Sequence, residues 1–247
     1  MRWPRLLVCA LLLPVAGRAA DDIKPDAAAI EAVWRRLPGR ASARAMAGNG
    51  GRPVAVFVPK ELDPGKPVTV LTYFHGHGWD AGERLAKDGV LARVAALAAA
   101  DAQTVFVFPQ SGPHPFGYWM APPESFRETS REALELAGAL AGRPLTVARR
   151  VVDAHSGGGL PVKNAALSGE LDADKVNLLD AAYGSWAQVI VAWALERPGT
   201  RVESWYTCHS SVPANNAEIA RLAPRAVTIH ETSERHNDLP RLVLGAR

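Results

Sequence analysis

The run Ala154-His155-Ser156-Gly157-Gly158 has the make-up of a nucleophile held on a tight turn. A serine hydroxyl attacks a carbonyl only when it projects clear of its neighbours and a base removes its proton. Small residues on either side of Ser156 permit a turn that sharp. The first small position is Ala154 instead of glycine, so the pattern is a relaxed A-x-S-x-G. An ordinary glycine-rich strand–helix turn has the same composition, so the surroundings must carry the argument. An apolar run with Val151-Val152 precedes the serine, and Gly158 to Leu167 fits a small-residue helix with Pro161 in its first turn.

A second constellation is Tyr73-Phe74-His75-Gly76-His77-Gly78, which closes the β-rich run from Val68 to Phe74. Acyl transfer needs two backbone N–H groups aimed at the oxyanion of a tetrahedral intermediate. Gly157, directly after the serine, supplies one. Gly76 or His77 supplies the other, because Gly76 and Gly78 let this loop approach closely. The rival chemistry is a metal pair at His75 and His77. The continuation of such a pair is Asp two residues later and then His, but Trp79 stands at the first place and Asp80-Ala81 follow. No metal and no cofactor are therefore expected.

The base should follow the last strand, Ala226 to Ile229. His230 is still at that strand's end, whereas His236 lies in a polar loop beside Asn237-Asp238. His236 is the expected base and His230 the alternative. For the acid, Asp180 directly follows the apolar run Val176 to Leu179. Its bland alternative is a helix cap. After Thr207, Cys208 to Pro213 holds no carboxylate, and Glu218 comes late, on a helix. Asp153 lies inside the strand before Ser156, and Asp238 is too near His236 in sequence.

Aromatic residues crowd the same addresses. Trp79 adjoins the first glycine loop. His114, Phe116, Tyr118, Trp119 and Met120 fill the loop from Ser111 to Pro123. Tyr183 and Trp186 follow Asp180. Trp79, Tyr118, Trp119, Tyr183 and Trp186 are expected to line a substrate cleft, against the alternative that they pack loops onto the core.

These loops need a frame that gathers them. Val54 to Val58, Val68 to Phe74, Thr104 to Phe108, Arg149 to Ala154, Val176 to Leu179, Val202 to Thr207 and Ala226 to Ile229 read as strands. Helical segments fall at Ile23 to Leu37, within Ala81 to Ala100, and at Glu124 to Leu140, Gly158 to Leu167 and Trp186 to Glu196. A stub follows at Arg241 to Gly245. Ala41 to Arg52 reads as a basic, glycine-rich loop. The expected fold class is α/β, with a mostly parallel sheet covered by helices on both faces. Active sites in such sheets form at the carboxyl ends of the strands. No insertion is long enough for a large cap domain, so the cleft should be open.

From about residue 53 onward the chain resembles the α/β-hydrolase superfamily. His75 to Gly78, Ala154 to Gly158, Asp180 and His236 carry that resemblance, in the chain order serine, acid, histidine. It implies a serine hydrolase whose Ser156 forms an acyl-enzyme, with carboxylic ester hydrolysis as the leading reaction. A peptidase or amidase on the same residues, and a non-catalytic binding protein, remain open. The implied partner is a small-molecule or polymeric ester or amide.

Met1 to Ala20 reads as a signal peptide: Arg2 and Arg5, then a short apolar stretch, then small residues before Asp21-Asp22. The stretch is too short to span a bilayer. Residues 21–247 then form one domain, secreted or periplasmic. The chain has 28 basic and 25 acidic residues, and Arg2, Arg5 and Arg18 lie in the leader. The remainder is neutral, which gives no argument for nucleic acid. Of the two cysteines Cys9 is in the leader, so Cys208 has no intrachain partner.

Overall fold

A computed structural model describes residues 26–78, 80–111, 120, 122, 124–208 and 212–245. The expected leader, at 1–20, lies outside them. Eight strands form one sheet: β1 (Gly39–Met46), β2 (Arg52–Pro59), β3 (Val68–Phe74), β4 (Thr104–Pro109), β5 (Val147–His155), β6 (Lys175–Leu179), β7 (Arg201–Thr207) and β8 (Val227–Thr232). Their order is β1-β2-β4-β3-β5-β6-β7-β8. β2 pairs antiparallel with β1 and β4, and every other neighbouring pair is parallel. The expected mostly parallel sheet is the observed one.

The helices are α1 (Ala27–Trp34), α2 (Glu83–Lys87), α3 (Val90–Ala100), α4 (Ser125–Ala141), α5 (Gly159–Leu167), α6 (Trp186–Leu195), α7 (Pro213–Leu222) and α8 (Leu239–Val243). α1, α2, α3 and α8 cover one face, where Trp34, Phe57, Tyr73, Phe106 and Phe108 pack together. Trp34 donates its indole N–H to the Ala81 carbonyl at 2.6 Å and sits 4.4 Å, ring to ring, from Phe108. On the other face, α5, α6 and α7 pack over β5 to β8, and α4 packs over β2 and β4. Among the described residues no segment forms a separate cap over the strand ends.

Two expectations change. The segment read as a loop contains most of β1. Its Ala41, Ala43 and Met46 turn inward while Arg40 and Arg44 stay exposed. Small residues and arginines have little strand preference of their own. Pairing with β2 supplies the backbone bonds, and the Glu31 carboxylate on α1 accepts from the Ser42 hydroxyl and the Ala43 N–H at 2.9 and 3.0 Å. The helical stretch before β4 is broken into α2 and α3 at Gly89, which takes φ +78°.

Candidate active site

β5 is central, and it ends in a turn that sends the chain directly into α5. Ser156 opens that turn with φ +52°. Serine adopts such a backbone rarely, so the surroundings hold it there. Gly158 shows how tightly. A Cβ built on it would stand 2.1 Å from the Phe74 carbonyl oxygen, so only glycine lets the turn lie against the end of β3. Gly159 is similar: its Cβ would meet the Ala181 carbonyl at 2.7 Å. Ala154, the departure from glycine, is fully buried between Phe74 on β3 and Leu178 on β6. A methyl group is accommodated there. Ser156 and Gly157 are partly exposed.

Asp180 follows β6 directly and is buried, with φ +50°. Its N–H donates to the Trp205 carbonyl on β7 at 2.6 Å, which ties the residue to the sheet. Its Oδ2 lies 2.6 Å from Nδ1 of His236. His236 begins a short 3-10 turn, 236–238, between β8 and α8, and its side chain is 35% exposed. Nδ1 therefore donates to the carboxylate, which leaves Nε2 as the acceptor of the neutral ring. The base loop is also fixed beside the serine. Nε2 of His155, the residue before Ser156, lies 3.0 Å from the His236 carbonyl oxygen, and the two rings are 4.7 Å apart.

The alternative base, His230, belongs to β8. It stacks on Trp205 at 3.8 Å and lies 3.3 Å from the Glu203 carboxylate, away from Asp180. The Tyr183 phenol faces the Ser156 side chain, and burial raises its pKa. Its ring meets Trp186 edge-on at 5.6 Å, and Asn215 on α7 steadies the loop by donating to the Ala182 carbonyl at 2.9 Å.

The loop after β3 divides its two histidines. His75 is buried, and its Nε2 accepts from the Ser111 N–H at 3.3 Å. Its Nδ1 therefore carries the proton and donates to the Gly76 carbonyl at 3.0 Å. Burial lowers its pKa to about 4, so the ring is neutral. His77 and Gly78 are exposed. With His75 bonded inward and His77 outward, the two do not form a chelating pair. Among the described residues no cluster of three or more His, Cys, Asp or Glu side chains is arranged for a metal. Trp79, Tyr118 and Trp119, expected along the cleft, lie outside the described residues.

Sequence reasoning passed over His155. The available signal was strand alternation: a residue two places from inward-facing Asp153 on β5 must point to the same side.

No protein-family model and no curated protein matches the chain. Solved structures do. FphF, a fluorophosphonate-binding serine hydrolase of Staphylococcus aureus, aligns over 85% of this chain and 97% of its own, with TM-score 0.56 and 11% identity. The feruloyl esterase module from Clostridium thermocellum aligns over 85% and 90%, with TM-score 0.54 and 13% identity. An S-formylglutathione hydrolase from Agrobacterium tumefaciens aligns over 84% and 92%, with TM-score 0.52 and 15% identity. At these identities the likeness is one of fold. The chain has the α/β-hydrolase fold.

Proposed function

We propose that this chain is a serine hydrolase that cleaves carboxylic esters through an acyl-enzyme on Ser156. The observation that carries the reading is the 2.6 Å contact between Asp180 and His236, on a loop bonded to the residue preceding Ser156. In the proposed cycle His236 Nε2 takes the Ser156 proton as Oγ attacks the ester carbonyl. The N–H groups of Gly157 and of the Gly76–His77 loop receive the oxyanion. His236 returns the proton to the leaving alcohol, and water then repeats the sequence to release the acid. Asp180 holds the imidazole in the tautomer this requires. The fold relatives described as esterases and serine hydrolases support the same class.

Tyr183 and Trp186 form an aromatic edge beside the serine that suits an apolar or aromatic part of the substrate. We further propose that residues 1–20 are a signal peptide and that the protein acts outside the cytoplasm. N-terminal sequencing of protein recovered from the periplasm or medium should begin near Asp21. Among the described residues no helix is long and apolar enough to cross a membrane.

The deciding experiment is labelling of the purified protein with a fluorophosphonate. Labelling lost in Ser156→Ala supports the reading. Unlabelled wild-type protein rejects it in favour of a binding protein. Aliphatic ester, aromatic ester and peptide panels then separate esterase from amidase.

A further inference from the structure

We propose that His155 is a positioning residue: it spans the gap between the base loop and the oxyanion loop and sets their spacing across Ser156. Its catalytic consequence rests on the serine-hydrolase reading above.

β5 presents Val151, Asp153 and His155 to one face, so the His155 ring enters the protein beneath the turn instead of pointing to solvent. It is 1% exposed. One end of the ring reaches the base loop, where Nε2 lies 3.0 Å from the His236 carbonyl oxygen. A carbonyl oxygen only accepts, so Nε2 carries the proton. The other edge reaches the oxyanion loop. A Cβ built on Gly76 would stand 2.8 Å from His155 Nδ1 and 3.2 Å from Cε1. Gly76 therefore has a second reason to be glycine: it makes room for this ring as well as for an oxyanion.

A planar ring bonded to the base loop on one side and packed close to the oxyanion loop on the other acts as a spacer. Its anchor on the base side is the backbone of the residue whose imidazole would take the serine proton, so movement of that carbonyl moves the base. Displacements near 1 Å at such a group can cost about a hundredfold in rate. Neutrality is part of the device. Burial, with the neighbouring His236 adding to it, lowers the His155 pKa to about 3. Buried His75, the other titratable group acting on it, is neutral too. The spacer thus places no charge against His236 when that ring becomes an imidazolium.

The test uses the full chain with His155→Phe, which keeps a ring without a donor, and His155→Gln, which keeps an N–H donor of similar reach. Turnover of a p-nitrophenyl ester and the rate of fluorophosphonate labelling are followed together with thermal unfolding. His155→Phe should lower kcat and the labelling rate together, by about ten- to a hundredfold, with little change in KM. His155→Gln should recover most of that loss. Equal losses in the two variants, or a change confined to KM or to unfolding temperature, would overturn the proposal.

Nitrogen NMR of the wild-type protein gives a readout that needs neither variant to fold. His155 should be neutral at pH 6 with its proton on Nε2, and the opposite tautomer or an imidazolium would sink the assignment. If wild-type protein is not labelled at all, the hydrolase reading fails, while the tautomer still decides whether His155 holds the base loop.

Discussion

Two groups of polar side chains, one within the sheet and one at its strand ends, are built differently. The lower layer sits within β5, β6 and β7. There Asp153 accepts from the Asn177 amide and the Gly245 N–H, both at 2.6 Å. Lys175, 2% exposed, pairs with Glu203 at 2.6 Å. The upper layer sits at the strand ends. It joins the Asp180 carboxylate to His236, and the His236 backbone to His155, with His75 in the neighbouring loop. Asp180 Oδ1 is buried with no hydrogen-bond partner among the described residues. The lower layer ties strand to strand and strand to C-terminal tail, with opposite charges paired inside the protein. The upper layer holds two rings neutral and leaves the third, His236, partly open to solvent. Burial alone therefore does not separate a structural polar group from a catalytic candidate. What separates them here is whether its partner reaches solvent.

Matched substitutions in the two layers should have opposite signatures. Asp180→Asn should lower kcat by about ten-thousandfold, because the amide favours the wrong His236 tautomer, with a folded protein remaining. Asp153→Asn should leave kcat within a few fold. Comparable loss of turnover in both variants would erase the distinction.

Next in size is Gly158→Ala. The added methyl meets backbone at 2.1 Å, so stability should fall by about 3 kcal/mol or more, measured by urea unfolding.

The pH dependence of stability is smaller and sharper. His155 and His75 have folded pKa values lowered by burial to about 3 and about 4, from 6.5. Their contribution is present above pH 6.5 and is lost as pH falls towards those values. Asp153 is raised by burial from 3.8 to about 6, so its contribution is present below pH 3.8 and lost as pH rises through 6. Between about pH 4 and 6 the unfolded chain binds two protons on the histidines and the folded chain one on Asp153. These three groups thus make stability rise by about 1.4 kcal/mol per pH unit. Asp153→Asn should roughly double that slope; an unchanged slope would mean that Asp153 is ionised in the fold.

The smallest effect is expected at Tyr183→Phe. Removal of the hydroxyl beside Ser156 should change ester turnover by about tenfold or less. A loss as large as that of Asp180→Asn would promote the phenol to an essential group.

Much of this architecture is legible in the chain. Apolar runs ending in Pro59, Phe74, Pro109 and Leu179 mark strands because a doubly covered sheet makes them apolar throughout. Their addresses after such runs point to Ser156, Asp180 and His236 as candidates, and the structure brings Asp180 and His236 into contact. β1 is not legible, since its alanines and arginines become a strand only when β2 offers its edge. The roles of His75 and His155 are hidden for another reason. A histidine in a glycine-rich turn reads as a ligand or a base, and only the bonds to Ser111 and to the His236 carbonyl reveal it as a fixed, neutral part. The aromatic expectations at Tyr183 and Trp186 fall beside the serine, whereas Trp79, Tyr118 and Trp119 are outside the described residues.

Ser156 and Asp180 share one further property. Both take a left-handed backbone, with φ +52° and +50°, in a chain where only two other described non-glycine residues, Met120 and Glu124, do so. Glycine at either position would relieve that conformation. A laboratory selection for heat resistance alone would therefore favour Ser156→Gly and Asp180→Gly, the replacements that discard the chemistry proposed here. Thermostabilised libraries of this protein should be screened for turnover in every round.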